Sequence, residues 1–208
     1  MDRNVKKKLE PSEKVQKMYE AIAGFVEEKR DLSTIKVSEI TSRAGIGKGT
    51  AYEYFSSKEE LIMYAALWLC GQQMEQMISG AAKETGFRGK YFFILEWIET
   101  HKEYNELLLK AVKGNFQGDC EKLKDCVPKE LSAQIRSYLV ETINELLEEG
   151  YQEGIFKEQN VEKRILVFMG TMMQYGVGVI NLKEDFENMM NKEQLREFTY
   201  ECMVKSLN

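Results

Sequence analysis

The chain has 208 residues, 43% of them hydrophobic and 30% charged, a composition that suits a soluble globular protein of one domain or two small ones. No window holds the roughly 18 consecutive apolar residues that span a bilayer, and Met1 to Glu10 lacks a secretion signal's apolar stretch, so a cytoplasmic protein without membrane contact is expected. The net charge of −5 is polarised, with 12 Lys and Arg against 9 Asp and Glu from Met1 to Lys58 and 17 against 25 beyond, so a basic head on an acidic body leaves nucleic acid open as a partner.

Arg3, Lys6, Lys7 and Lys8 form a basic arm, read either as a phosphate contact or as a solvated terminus. Pro11 and Ser12 then mark the start of a first helix, whose stripe of Val15, Met18, Tyr19, Ile22 and Val26 has the spacing of a buried face. Val37, Ile40 and Ala44 predict a short second helix, and Gly45 offers the freedom for a tight turn. Ile46, Ala51 and Phe55 supply the inward side of a third helix, giving a helix-turn-helix over about residues 37–55. Ser57 and Glu60 read as a capping box opening a fourth helix at Lys58.

Outward on the third helix remain Gly47, Lys48, Gly49, Thr50, Tyr52 and Tyr54. They combine a cation, hydroxyl donors and two positions without a side chain, where a bulky backbone can approach. Duplex DNA suits such a face, because a helix in the major groove reads base edges from its N-terminal residues while the preceding helix crosses the phosphates. Glu53 either faces solvent or accepts from a cytosine amino group.

The run Ile40, Ala44-Gly45-Ile46, Gly47-Lys48-Gly49-Thr50, Tyr52, Tyr54-Phe55 and Lys58-Glu59-Glu60-Leu61 resembles the N-terminal domain of TetR-family transcriptional regulators. Lys36, Thr41, Gly47 and Ala51 depart from the residues usual there. The resemblance implies that Lys48 to Thr50 and Tyr52 face bases or phosphates and that Tyr54 and Lys58 hold phosphate oxygens. Lys36 and Ser38, where the second helix opens, complete the candidate DNA-binding set.

The fourth helix, from Lys58 to about Lys83, is apolar nearly all round from Leu61 to Leu69 and must be covered on most sides. It reads as a rigid arm between head and body. Phe93, Trp97, His101, Tyr104 and Leu108 then line one helical face, as core or as pocket. The candidate pocket is Trp68, Phe93, Trp97, His101, Tyr104, Tyr138, Met169 and Met173. Gly114 to Lys129 reads as a mobile loop over a cavity, and the next helix carries Leu131, Ile135, Tyr138, Leu139, Ile143 and Leu147 until Gly150 and Gly154 stop it.

Between Val161 and Leu182, Ile165, Met169, Met172, Gly176 and Val179 alternate at four and three, the spacing of a helix seam, with Leu166, Met173, Val177 and Ile180 on an adjacent face. Leu195, Phe198 and Cys202 follow on a last helix. These read either as a hairpin closing its own core or as a homodimer surface; the resemblance implies a four-helix dimer bundle, with Ile165, Met169, Met172, Gly176, Val179, Leu195, Phe198 and Cys202 in it.

The four cysteines, Cys70, Cys120, Cys126 and Cys202, lack zinc spacing and are expected as reduced thiols. Cys120 and Cys126, near Lys122 and Lys124, are either ordinary loop cysteines or an oxidant-sensing pair. With one histidine, no phosphate-cradling glycine loop and no nucleophile elbow, the sequence points away from an enzyme and implies no cofactor or metal. The expectation is an all-α protein of about nine helices, with a three-helix head over 1–57 and an effector-binding and dimerisation body over 58–208. By resemblance it is a homodimeric repressor, released from a near-palindromic DNA operator by a small-molecule effector. The alternative is a DNA-binding architectural or partner-regulated protein without an effector.

Overall fold

The computed structural model describes residues 11–101, 129–181 and 190–208. The basic arm, Tyr104, Leu108, the connection 114–128 with Cys120 and Cys126, and Leu182 lie outside them, as do the side chains of Leu131, Ile135 and Ile180. The described residues hold eight helices and no strand: α1 (Glu13–Glu27), α2 (Val37–Arg43), α3 (Lys48–Tyr54), α4 (Lys58–Ala81), α5 (Gly86–Thr100), α6 (Lys129–Gln152), α7 (Val161–Asn181) and α8 (Lys192–Ser206). None is long and apolar enough to cross a membrane. They fall into two compact units, with boundaries within α4 after Met74 and within α6 after Ala133.

In the first unit the predicted stripe of α1 is buried and is widened by Ala21 and Phe25. Ile35, Ile40, Ala51 and Phe55 are buried in the same unit, as are Leu61, Ile62, Tyr64, Ala65 and Ala66 of α4. Tyr19 sits among aromatic rings, 6.1 Å from Phe55 and 5.6 Å from Trp68. The α4 start is capped as the sequence suggested, with a shift of one partner. The Ser57 hydroxyl accepts from the Glu60 N–H, while the Glu60 carboxylate reaches back to the N–H of Ser56, one residue before the N-cap.

In the second unit α5 begins under a carboxylate from far along the chain. Both oxygens of Glu153 accept the Phe87 N–H at 3.1 Å, satisfying a donor that every helix start leaves open. Phe87 packs edge-on to Phe156, and Tyr91 meets Phe168 and Tyr200 in the same way. The Tyr91 hydroxyl, buried among these rings, donates to Thr171 at 3.1 Å. Helix α6 runs through Gly150 to Gln152 and is closed by Gly154, which takes the left-handed conformation at φ +72°, so of the two expected stops only Gly154 acts as one. A side chain at 150 would collide with Phe87 and Phe156, so Gly150 is there for close packing. Burial holds the half-buried Cys70 thiol up at about 11, so it is no thiolate at neutral pH.

Candidate nucleic-acid interface

The turn between α2 and α3 is a Schellman closure. Gly45 takes the left-handed conformation, φ +68°, its N–H bonds to Ser42 O, and the Ile46 N–H bonds to Thr41 O. Lys36 stands at the N-cap of α2, and a lysine side chain has no acceptor to offer the helix. The carboxylate of Glu39 supplies the cap instead, taking the Lys36 N–H at 2.9 Å. Two arginines then fix α2 on the end of α1. Arg30 and Arg43 lie on the Phe25 ring, 4.8 and 4.6 Å from its centroid, with Arg30 bonded to Glu39 and Arg43 to Glu28. This clamp was not foreseen in the sequence, where the partners stand 9 and 15 residues apart with nothing to mark them as pairs.

With Ala51 and Phe55 turned inward, the opposite side of α3 is left to solvent. Gly47, Lys48, Gly49, Tyr52 and Glu53 are exposed, as are Lys36 and Ser38 at the opening of α2, while Thr50 and Tyr54 are half-buried. Lys58, also half-buried, spends one of its donors inside the protein, on the Ser33 carbonyl at 2.7 Å. Glu53 makes no ion pair among the described residues.

The second unit scatters the residues expected around a pocket. Phe93, Trp97 and His101 stack along one side of α5, with centroids 5.9 and 3.7 Å apart and the His101 ring nearly parallel to Trp97. His101 Nδ1 is held by Thr100 Oγ1 and the Trp97 carbonyl. Tyr138, Met169 and Met173 stand exposed instead, and Trp68 belongs to the first unit. Of the residues expected at a subunit contact, Val179 is in the unit's own core, and Ile165, Met172 and Leu195 pack against it. Gly176 is half-buried near Ile98, and Cys202 is half-buried. Met169 and Phe198 face outward, beside Leu166, which is 72% exposed, and Met173, which is 62% exposed.

A buried polar cluster joins α5, α7 and α8. Glu99 accepts from the Tyr175 hydroxyl and from Arg196 Nε at 2.7 Å, with Lys192 Nζ at 3.5 Å. Burial pushes its carboxyl up, but Arg196, Tyr175 and Lys192 outweigh burial and hold it below the usual carboxylate range. The start of α8 also borders an open groove of about 690 Å³ lined by Arg88, Phe92, Lys192 and Arg196 among others. Its cations are matched by Glu193 and Glu197, and Arg88 is bonded to Glu197.

Residues 28–65, which hold this turn and the exposed side of α3, match the model of the tetR family of bacterial regulatory proteins. The match covers the head and the start of α4, and it marks the chain as a DNA-binding transcriptional regulator and not an enzyme. No curated protein matches it. Among solved structures it is similar to the transcriptional regulator FadR of Bacillus subtilis in complex with stearoyl-CoA, at 18% identity over 93% of this chain and 97% of that one, TM-score 0.59. The fatty acid degradation regulator FadR of Bacillus halodurans gives 18% identity over 95% and 96%, TM-score 0.60. A TetR family regulator of Marinobacter aquaeolei gives 15% over 94% and 95%, TM-score 0.61. At such identities the likeness is one of fold. The matched head is read from local spacing, whereas the Glu99 cluster joins residues 76 and 97 positions apart.

Proposed function

We propose that this chain is a homodimeric repressor that binds a near-palindromic operator and is released by a small-molecule effector bearing a long acyl chain. The observation that carries the DNA-binding part is the bare outward side of α3, held by the Gly45 turn and offering Lys48, Thr50 and Tyr52 beside Lys36 and Ser38. One head reads one half-site, so two heads at successive major grooves on one face of the duplex call for half-sites about 34 to 36 Å apart. The outward apolar stripe of α7, Leu166, Met169, Met173 and Val177, with Phe198 on α8, supports pairing with a second copy. This moves the expected contact to the face of α7 opposite Phe168, Thr171 and Tyr175.

The acyl class of effector is carried from the Bacillus subtilis regulator, whose structure holds stearoyl-CoA. The aromatic and aliphatic second unit is compatible with that chemistry. An effector releases DNA only if it binds the released conformation more tightly than the bound one. The test is selection of bound sequences from random duplexes by the purified chain, repeated with palmitoyl-CoA present. An inverted repeat that is enriched without the ligand and lost with it is the expected result. Enrichment of an inverted repeat that palmitoyl-CoA and other acyl compounds leave untouched overturns the effector part. No enrichment at all overturns the whole.

A further inference from the structure

Arg164, in the first turn of α7, has a side chain only 3% exposed. Its Nη2 donates to Glu148 Oε2 at 2.9 Å, and its guanidinium lies 5.1 Å from the centroid of the Tyr151 ring. Its Nε and Nη1 are buried and meet no acceptor. Asn144 Oδ1 is likewise buried and meets no donor. Asn144, Glu148 and Tyr151 follow at spacings of four and three, so they share the stripe of α6 on which the arginine lies. Native proteins seldom leave buried donors and acceptors unmade, and those that persist point to something that completes them.

The chemistry of that group follows from its neighbours. Glu148 already balances the guanidinium charge, so a second full anion placed here meets Glu148 as a like charge. A neutral carbonyl oxygen accepts from Arg164 without that repulsion. Asn144 Oδ1 needs the opposite, a hydrogen from an amide or a hydroxyl.

Resting on the acyl-effector reading above, we infer that Arg164 and Asn144 hold the polar end of the effector and select an acyl derivative with a neutral carbonyl and a nearby N–H or O–H over the free carboxylate. Acyl amides and pantetheine thioesters have this chemistry; a fatty acid at neutral pH does not. Arg164 and Asn144 set specificity, and the acyl chain contributes affinity without discriminating between the derivatives.

The experiment compares dodecanamide, dodecanoate and palmitoyl-CoA on the full-length chain by calorimetry and by melting temperature, below the concentrations at which they form micelles. Dodecanamide is expected to bind about tenfold more tightly than dodecanoate, the size of effect that one unmade buried hydrogen bond produces. Asn144→Leu is expected to bring that ratio close to one, whereas Arg164→Met is expected to weaken dodecanamide about tenfold without improving dodecanoate, which then meets an uncompensated Glu148. Asn144→Leu leaves the Arg164–Glu148 pair intact, so it decides the question if Arg164→Met fails to fold. Equal affinity of amide and acid for the unmodified chain overturns the inference, as does a ratio unchanged in Asn144→Leu, in which case the unmade groups hold only water. If palmitoyl-CoA binds the unmodified chain and both variants alike, this assignment fails and the effector reading stands. If none of the three compounds binds, both fail.

Discussion

Lys58 and Thr50 are proposed to act differently in the DNA interface. An ammonium has three donors, and Lys58 commits one to the Ser33 carbonyl, which leaves two that the proposed reading gives to a phosphate. Lys58→Ala is therefore expected to lower the stability of the head by about 1.5 kcal/mol. It should also reduce the slope of log affinity against log salt by about 1, with the ranking of DNA sequences unchanged. Thr50→Ala is expected to alter the ranking and leave the slope alone. A salt titration of both variants on several duplexes separates these outcomes, and an identical loss of ranking from both sinks the division of roles. Lys29 provides a test that involves no DNA. It occupies the left-handed position, φ 57°, in the closure of α1, where Arg30 N–H reaches Phe25 O. A side chain there is strained by about 1 kcal/mol relative to glycine, so Lys29→Gly is expected to raise stability by up to that amount in urea unfolding.

Among the elements, α6 contains a substitution whose two effects oppose each other. Alanine is the better helix former by about 1 kcal/mol, yet a Cβ at Gly150 would lie 2.7 Å from Phe87 and 2.8 Å from Phe156, both fully buried. Overpacking of that kind costs about 1–3 kcal/mol, so Gly150→Ala is expected to destabilise in spite of propensity; a rise in melting temperature would mean that the rings give way. The Glu99 cluster joining α5, α7 and α8 makes stability depend on acid. The folded carboxyl is held below its usual 4.5, so its contribution is complete above that pH and is lost as the pH falls through the lower, folded value. Glu99→Gln is expected to lower stability at neutral pH and to flatten its decline below about pH 4.5, as thermal melts across that range would show. Local spacing foretold α1, the Gly45 turn and the Ser57 cap because each depends on residues within a few positions. It found the stop at Gly154 but wrongly added Gly150, because the rings that need the space there, Phe87 and Phe156, are unmarked in the local pattern. It could not choose the inward face of α7, since Ile165 and Leu166, Met172 and Met173 are apolar on both sides. Only packing distinguishes them, with Phe168, Thr171 and Tyr175 fixing the buried side.

For the whole molecule, that choice decides where a second copy would sit. Leu166, Met169, Met173 and Val177 form an exposed apolar row along α7, an arrangement that a lone soluble protein rarely maintains. In a twofold contact the same patch serves both subunits, so a carboxylate introduced into it meets the partner patch and, near the axis, its own copy. Leu166→Glu combined with Met173→Glu is thus expected to yield monomers by sedimentation, with little change in melting behaviour because neither side chain is in the core. Affinity for a full inverted repeat should then fall by about 10²–10⁴, the gain that linking two heads provides, while affinity for a single half-site is retained. A variant that remains dimeric places the contact on another surface. A variant that becomes monomeric yet still binds the full repeat at the original strength would show that the two heads do not act together, and the proposed operator symmetry would lose its physical basis.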